Sequence, residues 1–159
     1  MLIRRETPAD IDAIRTVTNL AFNNGPEAPL IDWLREDEGW IPALSLMEDN
    51  VLGHVVCTRG YIGDLPVLGL GPISVHPDHQ RAGIGSALMH AVLGAAEARD
   101  EHAVILLGDP GYYSRFGFRL AAEFGITPPV DTWAPHFQAR LFGEVPGGAF
   151  RYAEPFNRL

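Results

Sequence analysis

Residues 67–75, VLGLGPISV, are apolar enough to form a buried strand, yet Gly69, Gly71 and Pro72 interrupt them. Inside a strand such residues mark a bulge or a place where another group approaches the backbone closely, and the proline also removes a ladder donor. The next thirty residues narrow the choice of fold. His76-Pro77-Asp78-His79 is a turn, Gln80 to Ser86 is a glycine-bearing loop, and Ile84, Leu88, Val92 and Ala95 mark a helix running to about Arg99. Ala103 to Leu107, AVILL, then reads as a second buried strand. Strand, helix and strand in succession imply a parallel pair, because the helix returns the chain to the end where the first strand began.

The elements around that unit are shorter. Leu2 to Arg5 reads as a strand, and Thr7-Pro8-Ala9-Asp10 combines an N-cap, a proline at the first helical position and an acid where a capping box wants one. Ile11, Ile14, Val17 and Ala21 give the helix after it one apolar face as far as Phe22, and Asn23-Asn24-Gly25-Pro26 breaks it. A second helix is expected over residues 29–35, with Leu30 and Leu34 inward. Residues 43–47 and 51–57, joined by Glu48-Asp49-Asn50, read as an antiparallel hairpin. Asp109-Pro110 opens a short helix that Gly117 closes, and strands are expected near 118–122, 137–142 and 149–152. This succession of strands and helices predicts an α/β chain on a mixed sheet, and 159 residues suit one domain over 1–159.

Charge and cysteine content exclude several partners. Twelve basic against twenty acidic residues leave −8, which disfavours nucleic acid and anionic membrane and suits a cationic ligand. The longest apolar runs fall far short of the roughly 20 residues that span a bilayer. MLIRRETPAD has no apolar signal core, and the single Cys57 fits a reducing compartment, so a cytoplasmic location is expected.

The loop at 80–86 lies between a strand and a helix start, where free N–H groups and the helix dipole favour an anion. Gly83 and Gly85 let several N–H groups converge with no side chain in the way. A Walker loop would need a lysine before Ser86, and a dinucleotide loop would need a small residue where Leu88 stands. Neither condition is met. Gln80, Gly83 and Gly85 instead match the pyrophosphate loop of the GNAT superfamily of N-acetyltransferases, and Gly71-Pro72-Ile73-Ser74-Val75 is similar to that family's fourth strand. Tyr112-Tyr113-Ser114-Arg115-Phe116-Gly117-Phe118 resembles its closing tyrosine and Gly-Phe signature, and LGDPGYYSRFGF most resembles a bacterial subgroup of small acetyltransferases.

The resemblance implies a mixed, mostly antiparallel central sheet splayed between strands 4 and 5, with helices on both faces. It implies acetyl-CoA as co-substrate, entering the splay with its pantetheine along Ile73, Ser74 and Val75 and its pyrophosphate on Gln80, Arg81, Ala82, Gly83, Ile84, Gly85 and Ser86. A backbone N–H near Val75 would face the thioester oxygen. Tyr113 matches the general acid that protonates the departing thiolate, while Tyr112, about 100° away on a helix, should pack or face water. Glu27 falls on the expected acceptor-side wall and is the candidate base, though a lone glutamate there reads equally as a solvated or capping residue. The acceptor would be a small-molecule or peptide amine, contacting the early helices, the Trp33 and Trp40 region and the tail from Trp133 to Phe142. A homodimer is left open, and a non-catalytic acyl-CoA-binding module is the alternative.

The histidines read as bystanders. His54 sits in a strand, and His76 and His79 lie on a turn with no third ligand at suitable spacing, so no metal is expected. No Gly-x-Ser-x-Gly elbow supports a serine hydrolase.

Overall fold

The computed structural model describes residues 1–159. Seven strands lie side by side: β1 (Ile3–Arg5), β2 (Ser45–Glu48), β3 (Gly53–Ile62), β4 (Leu65–Val75), β5 (Ala103–Leu107), β8 (Phe137–Leu141) and β6 (Arg119–Leu120). Two more complete the sheet: β9 (Gly148–Arg151) pairs with β3, and β7 (Ile126–Thr127) pairs with β9. Every other pairing is antiparallel, but β4–β5 and β7–β9 are parallel. The expected mixed, mostly antiparallel sheet is what the chain forms.

Helices α1 (Ile11–Ala21) and α2 (Glu27–Arg35) precede the hairpins, α3 (Ile84–Ala98) links β4 to β5, and α4 (Pro110–Tyr113) follows β5. The Asp10 carboxylate accepts hydrogen bonds from the Thr7 N–H at 2.7 Å and the Thr7 hydroxyl at 2.9 Å, so the sequence cap forms. Ile84, Leu88, Met89, Val92 and Leu93 of α3 bury against Val55, Cys57, Leu68 and Leu70, each such side chain contributing about 1.5–3 kcal/mol. Leu68 and Leu70 on one side of the Gly71-Pro72 interruption and Ile73 and Val75 on the other all face α3. A strict alternation would not allow that. The reason is a bulge: Val55 pairs with Ile73 and Cys57 with Leu70, so Val56 alone faces Gly71 and Pro72.

Several expected boundaries move. The first hairpin turns through Val51, whose φ is 56°, because the Glu48 carboxylate holds the N–H groups of Asn50 and Leu52; β3 therefore starts at Gly53. It continues to Ile62 and pairs through a Gly63 turn with a β4 that begins at Leu65, a second hairpin hidden by the polar run Thr58-Arg59-Gly60. Gly60 belongs there because the Phe150 ring fills the space a β-carbon would need, 2.7 Å away. The strand expected over 118–122 shrinks to Arg119–Leu120 and gives way to a 3-10 turn at Ala121–Phe124. α2 starts at Glu27, two residues before the expected start.

A cleft at the splayed strands

β4 and β5 pair only at Leu68–Val104 and Gly69–Ile105. Beyond that point β4 runs on for six residues with no strand paired to its β5-facing edge. The His76 N–H turns back to Leu52 O at 2.8 Å, so by strand alternation the polar groups of Val75 face the other way, into the gap. The Gln80 side-chain amide reaches Val75 O at 3.4 Å and ties the adjoining loop to this edge.

The gap opens into a cleft of about 640 Å³ whose lining includes Ile73, Ser74, Val75, Gln80, Arg81, Gly83, Gly85 and Ser86. Gly83, with φ 86°, is the N-cap of α3 and adopts a backbone that a side chain would strain. Gly85 lies under the Tyr112 hydroxyl, which would stand 3.1 Å from a β-carbon there. The first N–H groups of α3 have no partner within the helix, as at any helix start, and they open on the cleft. Arg81 and Arg115 line its mouth without any carboxylate partner, a local excess of positive charge on an acidic chain.

The far wall is α4 and the turn after it. Asp109 caps α4 through Gly111 N–H at 2.9 Å. Tyr112 and Tyr113 meet edge to face, ring centres 4.9 Å apart, and both border the cleft. The expectation that one of them would pack away from it does not hold: both line the cleft from the single turn of α4. Tyr112 lies under the Arg115 guanidinium at 4.6 Å, whereas Tyr113 is wedged between Gly108 and Phe118. Burial, with Tyr112 and Asp109 adding to it, pushes the Tyr113 phenol up to about 12, so it is held protonated.

Three residues named from sequence lie elsewhere. Ala82 is exposed outside the lining, and the Ile84 side chain is buried against Gly53 in the core, leaving only its N–H at the helix start. Glu27 does not line the cleft; its Oε1 lies against Gly25 at the first turn of α2. Ala21, Phe22 and Arg115 do line it; no motif marks the first two, and Arg115 falls inside the tyrosine and Gly-Phe signature without being one of its defining residues. The half-exposed Phe22 just past an amphipathic helix was the available signal. Trp33 and Trp40 pack with Leu30, Leu34 and Phe156 instead, while Trp133 lines a separate groove of about 1060 Å³ with Tyr61, Tyr152 and Phe156. The His76 and His79 rings meet edge to face with centres 5.3 Å apart, and His76 Nδ1 accepts from the Asp78 N–H.

The sequence model of the Acetyltransferase (GNAT) family matches residues 11–118, which spans α1, the cleft loop and Tyr113. The chain belongs to the GNAT family of acetyltransferases. It is 33% identical to the N-acetyltransferase YhbS of Escherichia coli over the full length of both proteins. It is 35% identical to the N-acetyltransferase YjhQ of the same organism over 80% of this chain and 75% of that one. Among solved structures, E. coli YhbS in complex with CoA superposes with a TM-score of 0.91 at 30% identity, covering 99% of this GNAT chain and 92% of the other. A GNAT family acetyltransferase from Brucella melitensis in complex with acetyl-CoA gives 0.82 at 36% identity, covering 98% and 97%. The protein is thus a GNAT-family acetyltransferase, and no helix in it is long and apolar enough to cross a membrane.

Proposed function

We propose that this GNAT enzyme binds acetyl-CoA in the cleft between β4 and β5 and transfers the acetyl group to a primary amine by direct attack. The observation that carries this is the joining of three features in one cleft: an unpaired strand edge, a glycine-opened helix start and a buried phenol. The pantetheine amides pair with the free edge of Ile73 to Val75. The pyrophosphate rests on the N–H groups from Gly83 to Ser86, with Arg81 and Arg115 adding charge. Val75 N–H faces the thioester oxygen and stabilises the oxyanion as it forms. When the tetrahedral intermediate collapses, the C–S bond breaks and Tyr113 protonates the thiolate; its raised pKa keeps it an acid across the working range but makes the transfer depend on placement. Glu27 stands outside this lining, so the proton of the incoming ammonium needs another acceptor.

The test is a thermal-shift comparison of acetyl-CoA, CoA, ATP and NAD, followed by thiol release over a panel of primary amines. All twelve basic residues are arginine, so no lysine of the chain itself competes as acceptor. Tyr113→Phe should lower turnover by about 100-fold and leave acetyl-CoA affinity within a few fold. Stabilisation by ATP and not by CoA would overturn the proposal, and so would full turnover in Tyr113→Phe.

A further inference from the structure

One buried polar cluster has no role in acetyl-CoA binding or thiolate protonation. Glu6, just after β1, places Oε1 against the Ser45 hydroxyl and 3.2 Å from His54 Nε2, while Ser45 Oγ lies 2.9 Å from the same nitrogen. Arg35 of α2 closes the cluster, with Nε 3.0 Å from Glu6 Oε2. His54 is fully buried, and its other nitrogen, Nδ1, has no hydrogen-bond partner. Directly across from it on β4, in register, is Ser74, whose buried hydroxyl also has no partner. Ser74 lines the cleft.

Ser45 spends its one proton on Glu6 and a carboxylate only accepts, so both groups that meet Nε2 are acceptors and Nε2 carries a proton. Burial disfavours a second proton on the ring, which leaves Nδ1 with a free lone pair. Val55 and Cys57 bury against α3, so His54 points to the opposite face, as Ser74 does. Directly opposed strand residues on one face stand about 5 Å apart at their β-carbons; the two groups make no direct hydrogen bond, and that spacing is within reach of one bridging water. An unpartnered buried ring nitrogen and an unpartnered buried hydroxyl on adjacent strands, one of them bordering the cleft, is a costly arrangement for a purely structural core.

We propose that Ser74 and His54 form the route by which the acceptor ammonium loses its proton. This rests on the cleft being the acetyl-transfer site. The bound ammonium passes one proton through the Ser74 hydroxyl to His54 Nδ1, and Glu6 balances the imidazolium that forms. The freed amine then forms the C–N bond. The second nitrogen proton leaves as the tetrahedral intermediate collapses and replaces the one Tyr113 gives to the thiolate. His54 returns its proton through Ser74 to solvent, so each turnover yields amide, CoA thiol and one proton. His54 is thus a positioning residue that acts through Ser74. The charged groups that bear on it are Glu6 and, through Glu6, Arg35. β2 contributes Ser45, β4 contributes Ser74, and α1 covers this face with Ile14, Val17 and Thr18, whose hydroxyl is spent on Ile14 O.

Two measurements test the route. Side-chain nitrogen NMR on the intact enzyme should show His54 neutral with its proton on Nε2 near pH 7; a charged ring or the opposite tautomer overturns the proposal. Thiol release is then measured against pH with the fastest amine from a panel of spermidine, benzylamine, tyramine and a lysine peptide. Ser74→Ala keeps the backbone edge and the Glu6 cluster. His54→Gln keeps a donor near Glu6 and removes the base. Both should lower kcat/KM by about 100-fold near neutral pH and converge on wild type as the amine deprotonates in solution, with acetyl-CoA affinity unchanged. A loss that is uniform across pH, or a pH dependence removed by Glu27→Gln and untouched in both variants, overturns the route while the transferase reading stands. If the wild-type enzyme acetylates none of the amines, the transfer reading itself falls, and the relay with it.

Discussion

Replacing Gly108 by alanine tests how closely Tyr113 must be held. A β-carbon at 108 would lie 2.5 Å from Tyr113 Cε2 and 3.0 Å from Cδ2, where ordinary contact begins near 3.4 Å, so ring and backbone must part by about 0.9 Å. The backbone is the fixed member: Gly108 N–H donates to His136 O at 2.9 Å, and Gln138 Nε2 donates to Gly108 O at 2.9 Å. The ring is wedged on its other side by Phe118 and Tyr112, so it moves as a body and carries the hydroxyl with it. A displacement near 1 Å at a reacting group costs about 100-fold in rate, or about 2.7 kcal/mol of transition-state stabilisation. Overpacking should cost about 1–3 kcal/mol of stability as well. The assay is kcat from single-turnover thiol release alongside Tm and acetyl-CoA affinity. Gly108→Ala should resemble Tyr113→Phe in kcat and differ from it in Tm, because the phenylalanine ring still fits. Turnover at wild-type level in Gly108→Ala would refute the reasoning, since it would mean that the phenol need not sit where Gly108 lets it.

Gly83→Ala should weaken acetyl-CoA by about tenfold, because a side chain at φ 86° costs about 1–2 kcal/mol and the loop can relieve that by abandoning the bound geometry; calorimetric titration reads it, and unchanged affinity would separate the loop from the phosphate. Glu6→Gln removes the buried partner of Arg35 and leaves it only the half-exposed Asp32, so it should cost about 2 kcal/mol in urea unfolding, with a loss under about 0.5 kcal/mol showing that the cluster does not hold β1 to α2. Stability should also fall with acid in two stages. Burial lowers the His54 pKa from its ordinary 6.5, so the unfolded chain takes up a proton there that the folded one does not, and stability drops below that pH. Burial alone would raise Glu6, but hydrogen bonds from His54, Arg35 and Ser45 outweigh it and hold the carboxyl at about 2 against an ordinary 4.5; its contribution is full above 4.5 and is lost as pH falls toward 2. Urea midpoints between about pH 8 and pH 3 check both, and a midpoint flat across that range would contradict the buried cluster.

What the sequence made legible was whatever local pattern and backbone chemistry dictate. The interrupted strand 67–75 announced its bulge because Gly71 and Pro72 cannot pair as ordinary residues do, and Gly83 and Gly85 announced the helix start because few other residues allow it. Thr7 to Asp10 announced a cap that forms as read. The elements that escaped were those whose partners a local pattern does not show: the polar second half of β3 pairs with the start of β4 across the Gly63 turn and takes Phe150 and Arg151 on its other edge, and the two-residue β7 exists only through β9. Cleft residues divide in the same way. Gln80, Arg81, Gly83, Gly85 and Ser86 sit on one motif and Tyr113 on another, whereas Ala21, Phe22, Arg115 and, behind Tyr113, Gly108 matter through what they approach. Sequence alone determined that a strand, a glycine-opened loop and a helix meet in this order, since φ, ψ and hydrophobic period are local properties. Only the tertiary structure decided that β4 and β5 part after Gly69 and that both tyrosines border the gap. It alone brought His54, by its local sequence an ordinary strand residue, opposite Ser74 with a nitrogen to spare, because burial and register depend on which strands pair and no single segment encodes that.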